Sequence, residues 1–139
     1  MPAGSATLPR NVFRLLTVLW AGSLWSLALW VAPTLFYAQS DRHLAGLLAA
    51  RLFSIETYLG IGVALAAAVF AARSRFVWGY AAVALLAVNE WLLKPVMQSA
   101  RAAGSAAGLS FGAWHGVSAL LYVAAGVLVM VLVWNEDFR

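Results

Sequence analysis

Glu90 and Lys94 stand four residues apart with the acid first, the order that favours a pair along one helix face. Asn89 directly precedes them. Arg51 and Glu56 are five apart, about 140° around a helix at roughly 100° per residue, so different neighbours are expected for each. Phe111, His115, Ser118, Tyr122 and Gly126 follow the i, i+4, i+7 spacing of a single face. Three chemistries suit these side chains. Glu56, Glu90 and His115 offer the oxygen and nitrogen ligands that zinc or manganese accepts, which makes them the candidate metal ligands. Arg51 and Lys94 would repel a cation and suit an anionic group instead. Glu90 or His115 could act as an acid or a base.

Signatures of an enzyme are missing around them. No nucleophile motif, phosphate loop or His-Glu-x-x-His helix occurs, so no catalytic residue is expected. Cysteine is absent, which removes thiolate metal sites and iron–sulfur clusters. Of the two histidines only His115 is expected within a helix, so paired axial haem ligands are not expected. No cofactor is anticipated. The net charge of +4 is spread along the chain without a cluster, and a nucleic-acid partner is not expected.

The elements that must position these residues follow from composition. Hydrophobic residues make up 64% of the 139 positions and charged residues only 10%, against about a quarter in a soluble domain. The partner expected everywhere is therefore the lipid bilayer. Four apolar stretches take up nearly the whole chain, leaving no room for a soluble catalytic domain. The expected fold is all-α: a single domain over 1–139, an antiparallel up-down-up-down integral membrane four-helix bundle. Its helices are expected at about 13–36, 44–72, 76–98 and 111–134. Arg14 to Phe36 provides about 23 residues, enough for a hydrocarbon core of roughly 30 Å. That is longer than the 7–15 or so apolar residues of a secretion signal, so this helix is expected to be retained.

Punctuation refines the boundaries. Pro33 leaves the Leu29 carbonyl without a helical partner, and a kink is expected there and at Pro95. Ser40 or Asp41 is placed to cap the second helix, and Ser110 the fourth. Arg73–Ser74–Arg75 reads as a tight turn. The stretch 102–108 reads as a loose, flexible connection of small residues. Gly22 and Ser26, or Gly60 and Ala64, would let backbones approach. No internal repeat is evident.

Orientation follows from the basic residues outside the spans. Arg10, Arg14, Arg73, Arg75 and Arg139 lie on one side, and Arg42 and Arg101 on the other. The positive-inside rule then puts both termini in the cytoplasm of a plasma membrane, expected to be a bacterial inner membrane. Counting Arg51 and Lys94 with the outer side narrows the margin to five against four. Arg51 would lie about 10 Å below the start of its helix and Glu56 about 8 Å deeper. Glu90 and Lys94 climb toward the same face, and His115 descends from it.

An outer-half cluster is therefore expected from Arg51, Glu56, Asn89, Glu90, Lys94, His115, Ser118 and Tyr122. Intramembrane charges cost at least about 2.5 kcal/mol each on insertion scales, so each needs a partner or a purpose. Arg51, Lys94, Glu56 and Glu90 sum to zero, as an interhelical ion-pair network requires. The first expectation is thus an accessory or scaffold membrane protein, acting as a homo-oligomer or with a larger membrane-protein partner. The alternative is a transporter or binder of a small ion or metal through the cluster.

Several segments carry a likeness. Trp20–Ala21–Gly22–Ser23–Leu24–Trp25, Ala32–Pro33–Thr34–Leu35–Phe36, Leu44–Ala45–Gly46, Arg51–Leu52–Phe53 and Lys94–Pro95–Val96–Met97 occur in this order. Phe111–Gly112–Ala113–Trp114–His115–Gly116–Val117–Ser118 and Leu121–Tyr122 follow. Together they resemble the transmembrane-protein-205-like family over nearly the whole chain. The resemblance implies a four-helix membrane domain of unknown function and draws attention to His115. Glu56 and Asn89–Glu90 are not part of that pattern.

Overall fold

The computed structural model describes residues 7–70 and 76–137, with side chains over 11–69 and 76–135. The first span joins α1 (Thr7–Ser26) to α2 (Ala32–Ala38) through a π-helical turn at Leu27–Val31. The third span repeats the device: α4 (Val77–Val88) continues through a π turn at Asn89–Leu93 into α5 (Lys94–Ala103). In both, a proline is the second residue after the widened turn. A proline ring clashes with the carbonyl four residues back, and widening the preceding turn moves that carbonyl aside. The Ala32 N–H bonds the Leu27 carbonyl and the Lys94 N–H bonds that of Asn89, each reaching five residues back. At Pro33 and Pro95, then, the helix continues through a wide turn.

Local caps start the other two spans. Asp41 Oδ1 accepts the backbone N–H groups of His43 at 2.8 Å and Leu44 at 3.1 Å, which opens α3 (Arg42–Phe70). Ser110 Oγ accepts the Ala113 N–H at 3.3 Å at the start of α6 (Phe111–Asp137).

The stretch 102–108 departs from the loose connection expected of it. Helix α5 runs to Ala103, and β1 (Ser105–Ala106) then pairs antiparallel with β2 (Leu109–Ser110). The turn residues Ala107 and Gly108 have φ of 49° and 80°, the left-handed pair that matches hairpin twist. Trp114 Nε1 locks the hairpin onto α6 by donating to the Ala106 carbonyl at 2.8 Å. The turn expected at Arg73–Ser74–Arg75 lies outside the described residues.

Four helical stretches, 11–38, 42–69, 77–103 and 111–135, are long and apolar enough to cross a membrane. Helix α1 packs on α3 and α6, and α4 packs on the same two, so the spans form a ring in chain order. The interior is filled by Trp20, Leu24, Phe76, Leu86, Val129 and Leu132, all essentially fully buried. Alanines at 45, 49, 67, 82 and 125 keep the backbones close. Outside, Leu15, Leu19, Val69, Leu92, Leu120 and Trp134 are exposed, an apolar coat that suits lipid rather than water.

Candidate functional site

Ser54 joins the second span to the third. Its Oγ donates toward the Glu90 carboxylate, 3.0 Å from Oε1 and 2.9 Å from Oε2. Lys94 Nζ donates to Ser54 Oγ and to Glu90 Oε1, each at 2.6 Å. Glu90 and Lys94 thus form an ion pair closed by a hydroxyl from the neighbouring helix. The π turn contributes to this geometry. A turn closed five residues back needs more than four residues, so positions four apart lie nearer to eclipsed than the 40° or so of an α-helix.

Glu56 is held elsewhere. Its Oε2 accepts from Ser23 Oγ of the first span at 3.0 Å, and Ser23 also contacts the Trp20 carbonyl at 2.9 Å. Ser54 and Glu56 lie two residues apart and so about 160° apart around α3, which turns one to each neighbouring span. Helix α6 supplies the other ties. Ser118 Oγ donates to Asn89 Oδ1 at 2.7 Å, and Asn89 Nδ2 returns a bond to the Ser118 carbonyl at 3.4 Å. One turn further, the Tyr122 hydroxyl donates to the Leu24 carbonyl at 3.3 Å, with its ring edge-on to Phe53 at 4.6 Å. Ser118 therefore reaches the start of the π turn of span three, and Tyr122 reaches the parallel span one at Leu24, three residues before its π turn.

Two expectations need correction. The neutral interhelical network of Arg51, Glu56, Glu90 and Lys94 does not form. Among the described residues Glu90–Lys94 is the ion pair, and it lies within one span. Arg51 is exposed on the outer side of α3 and has no protein partner among the described residues. The candidate metal ligands Glu56, Glu90 and His115 also stay apart: no group of three His, Asp or Glu side chains suited to a metal occurs among the described residues. The reason is direction, because Glu56 turns to the first span, Glu90 to the second, and His115 is exposed. The His115 ring instead stacks with Phe111 at 6.0 Å and 18°, and Arg101 lies over the same Phe111 ring at 4.3 Å.

Ser23 and Ser54 are the residues that reading the sequence passed over. Each looks like an ordinary helical serine bonding its own backbone, and Ser54 does contact the Ala50 carbonyl at 2.9 Å. The available signal was a hydroxyl within two or three residues of a charge inside an apolar run.

A family model described as Domain of unknown function (DUF4149) matches residues 15–106. The chain belongs to this family. The DUF4149 stretch contains Ser23, Ser54, Glu56, Asn89, Glu90 and Lys94, and ends before Ser118 and Tyr122. These comparisons do not reach the narrower transmembrane-protein-205-like family. No curated protein and no solved structure matches the chain. Within this DUF4149 chain, the ties make the seam a satisfied one: each carboxylate in the spans already accepts a hydroxyl, and the Lys94 ammonium has two acceptors.

Proposed function

We propose that this DUF4149 protein is an accessory or scaffold protein of the plasma membrane, a bacterial inner membrane, with both termini cytoplasmic. It works beside a larger membrane-protein partner or a second copy of itself. The likeness to the transmembrane-protein-205-like family belongs with this reading. The observation that carries it is the closed Ser54–Glu90–Lys94 triangle. An ion-conducting site needs groups free to exchange partners with a passing ion, whereas these hold one another and fix span three against span two. Polar ties between helices, here half-buried, have their best-attested use in setting register and arrangement. Two cavities, a groove beside Trp30 and a small void beside Trp25, are lined by neither Glu56, Glu90 nor Lys94.

Mild-detergent purification tests the reading. A membrane protein in fixed stoichiometry with this chain, or a stable dimer of the chain, is the expected result. A solitary monomer that carries ions across liposomes, with flux lost in Glu90→Gln, would overturn it and establish the transport alternative.

A further inference from the structure

Two glutamates stand at the middle of their spans, Glu56 midway along 42–69 and Glu90 midway along 77–103. An ionised side chain is most costly at that depth, where no water solvates it. Glu90 meets the cost with the Lys94 ammonium at 2.6 Å. Glu56 has no cation against it among the described residues; its side-chain partner is the Ser23 hydroxyl.

The other groups around Glu56 are uncharged or turned away. Span four brings Tyr122, whose hydroxyl donates to the Leu24 carbonyl at 3.3 Å. On span one, Arg14 lies nine residues from Ser23, about 13 Å along the helix, and Tyr37 is exposed near the far end. On α3 itself Arg51 and Tyr58 are exposed, about 140° and 160° around the helix from Glu56. From span three, Glu90 and Lys94 engage Ser54 on the far side of α3, and Tyr80 packs against Phe76.

A count of hydrogens then separates the two carboxyls. Ser23 Oγ lies 3.0 Å from Glu56 Oε2 and 2.9 Å from the Trp20 carbonyl. A hydroxyl carries one hydrogen, and with Glu56 ionised both neighbours are acceptors, so one contact lacks a hydrogen. A proton on Glu56 supplies it: Glu56 donates to Ser23 Oγ, and Ser23 donates to the Trp20 carbonyl. Ser54 faces the same count between Glu90 and the Ala50 carbonyl, and there the Lys94 ammonium brings the hydrogens. We infer that Glu56 is a proton-binding site at the middle of the membrane, occupied at neutral pH and joined to span one through Ser23. Release of the proton leaves a carboxylate that takes the Ser23 hydrogen, so the contact persists in both states with its direction reversed. Glu56 is only half-buried, which leaves the carboxyl a path for exchange. This assignment goes beyond the accessory reading and does not depend on it.

Infrared spectra of the full chain in phosphatidylcholine vesicles at neutral pH test it. A glutamate in water titrates at about 4.3 and is ionised there, so a carboxylic C=O band marks a held proton. The band should be present, shift in deuterium oxide, vanish in Glu56→Gln and persist in Glu90→Gln. Dicyclohexylcarbodiimide, which adds to protonated carboxyls from the lipid phase, gives a second reading on the unaltered chain. Peptide mapping should find its adduct on Glu56 and none on Glu90, with a yield that falls as the pH is raised.

A missing band, or one that survives Glu56→Gln, overturns the proposal. So does an adduct absent from Glu56 or equal on both glutamates. Protection of Glu56 by sodium ions at fixed pH would assign the site to a metal cation and equally counts against it.

Discussion

Ser54 Oγ and Lys94 Nζ lie 2.6 Å apart on two antiparallel spans, and through this contact the Glu90–Lys94 pair becomes an interhelical tie. Ser54→Ala keeps the ion pair and removes its anchor on α3. The expected loss is about 0.6–1.7 kcal/mol, the measured scale of hydrogen bonds between membrane helices. Unfolding by sodium dodecyl sulfate from mixed micelles reads it. No change would show that the pair stands alone.

Lys94→Met leaves Glu90 charged with only a hydroxyl beside it. About 2–3 kcal/mol of stability should go, following insertion costs for an unpaired charge near the centre of a span. Combining Lys94→Met with Glu90→Gln should cost less than the sum of the single changes, because residues in contact are coupled. Additive losses would contradict the ion pair.

Glycines separate two kinds of surface. A Cβ at Gly60 would stand 2.6 Å from Trp20 Cζ2, and Trp20 is fully buried. Gly60→Ala should therefore cost about 1–3 kcal/mol by overpacking. Gly62, two residues on, has nothing within 4 Å of such an atom, and Gly62→Ala should stay within about 0.5 kcal/mol. Thermal aggregation temperatures in one detergent compare the two directly.

Topology is accessible because the chain has no cysteine to interfere. Ala107→Cys at the hairpin tip should react with a membrane-impermeant maleimide on intact cells. Asn135→Cys should react only after permeabilisation. The reverse pattern would turn the proposed orientation over.

The four spans could be read from the sequence because membrane-length apolar runs admit few alternatives, and Asp41 and Ser110 announce their helices through local capping chemistry. The side-chain ties were only half legible. Glu90 and Lys94 declared themselves by spacing, as did Ser118 and Tyr122 on the fourth span, and Asn89 by type. Arg51 and Glu56 were expected to join them because their place in one half of the membrane was legible and the direction in which α3 as a whole faces its neighbours was not: α3 turns Arg51 outward and Glu56 toward Ser23. The hairpin escaped notice because Ala107–Gly108 lacks the Asn-Gly or Asp-Gly signature of its turn. The wide turns escaped because their one signal, the following proline, equally suggests a kink.

Those wide turns bear on how the chain tolerates changes in length. Each accommodates one residue more than an α-helix needs, so deleting a single residue within 27–31 or 89–93 can be absorbed by reverting to regular α-helical geometry. The same deletion in α3 or α6, which have no such slack, would swing every later side chain by about 100°. Related sequences aligned across spans one and three should thus carry their single-residue gaps at these two places, ahead of the prolines.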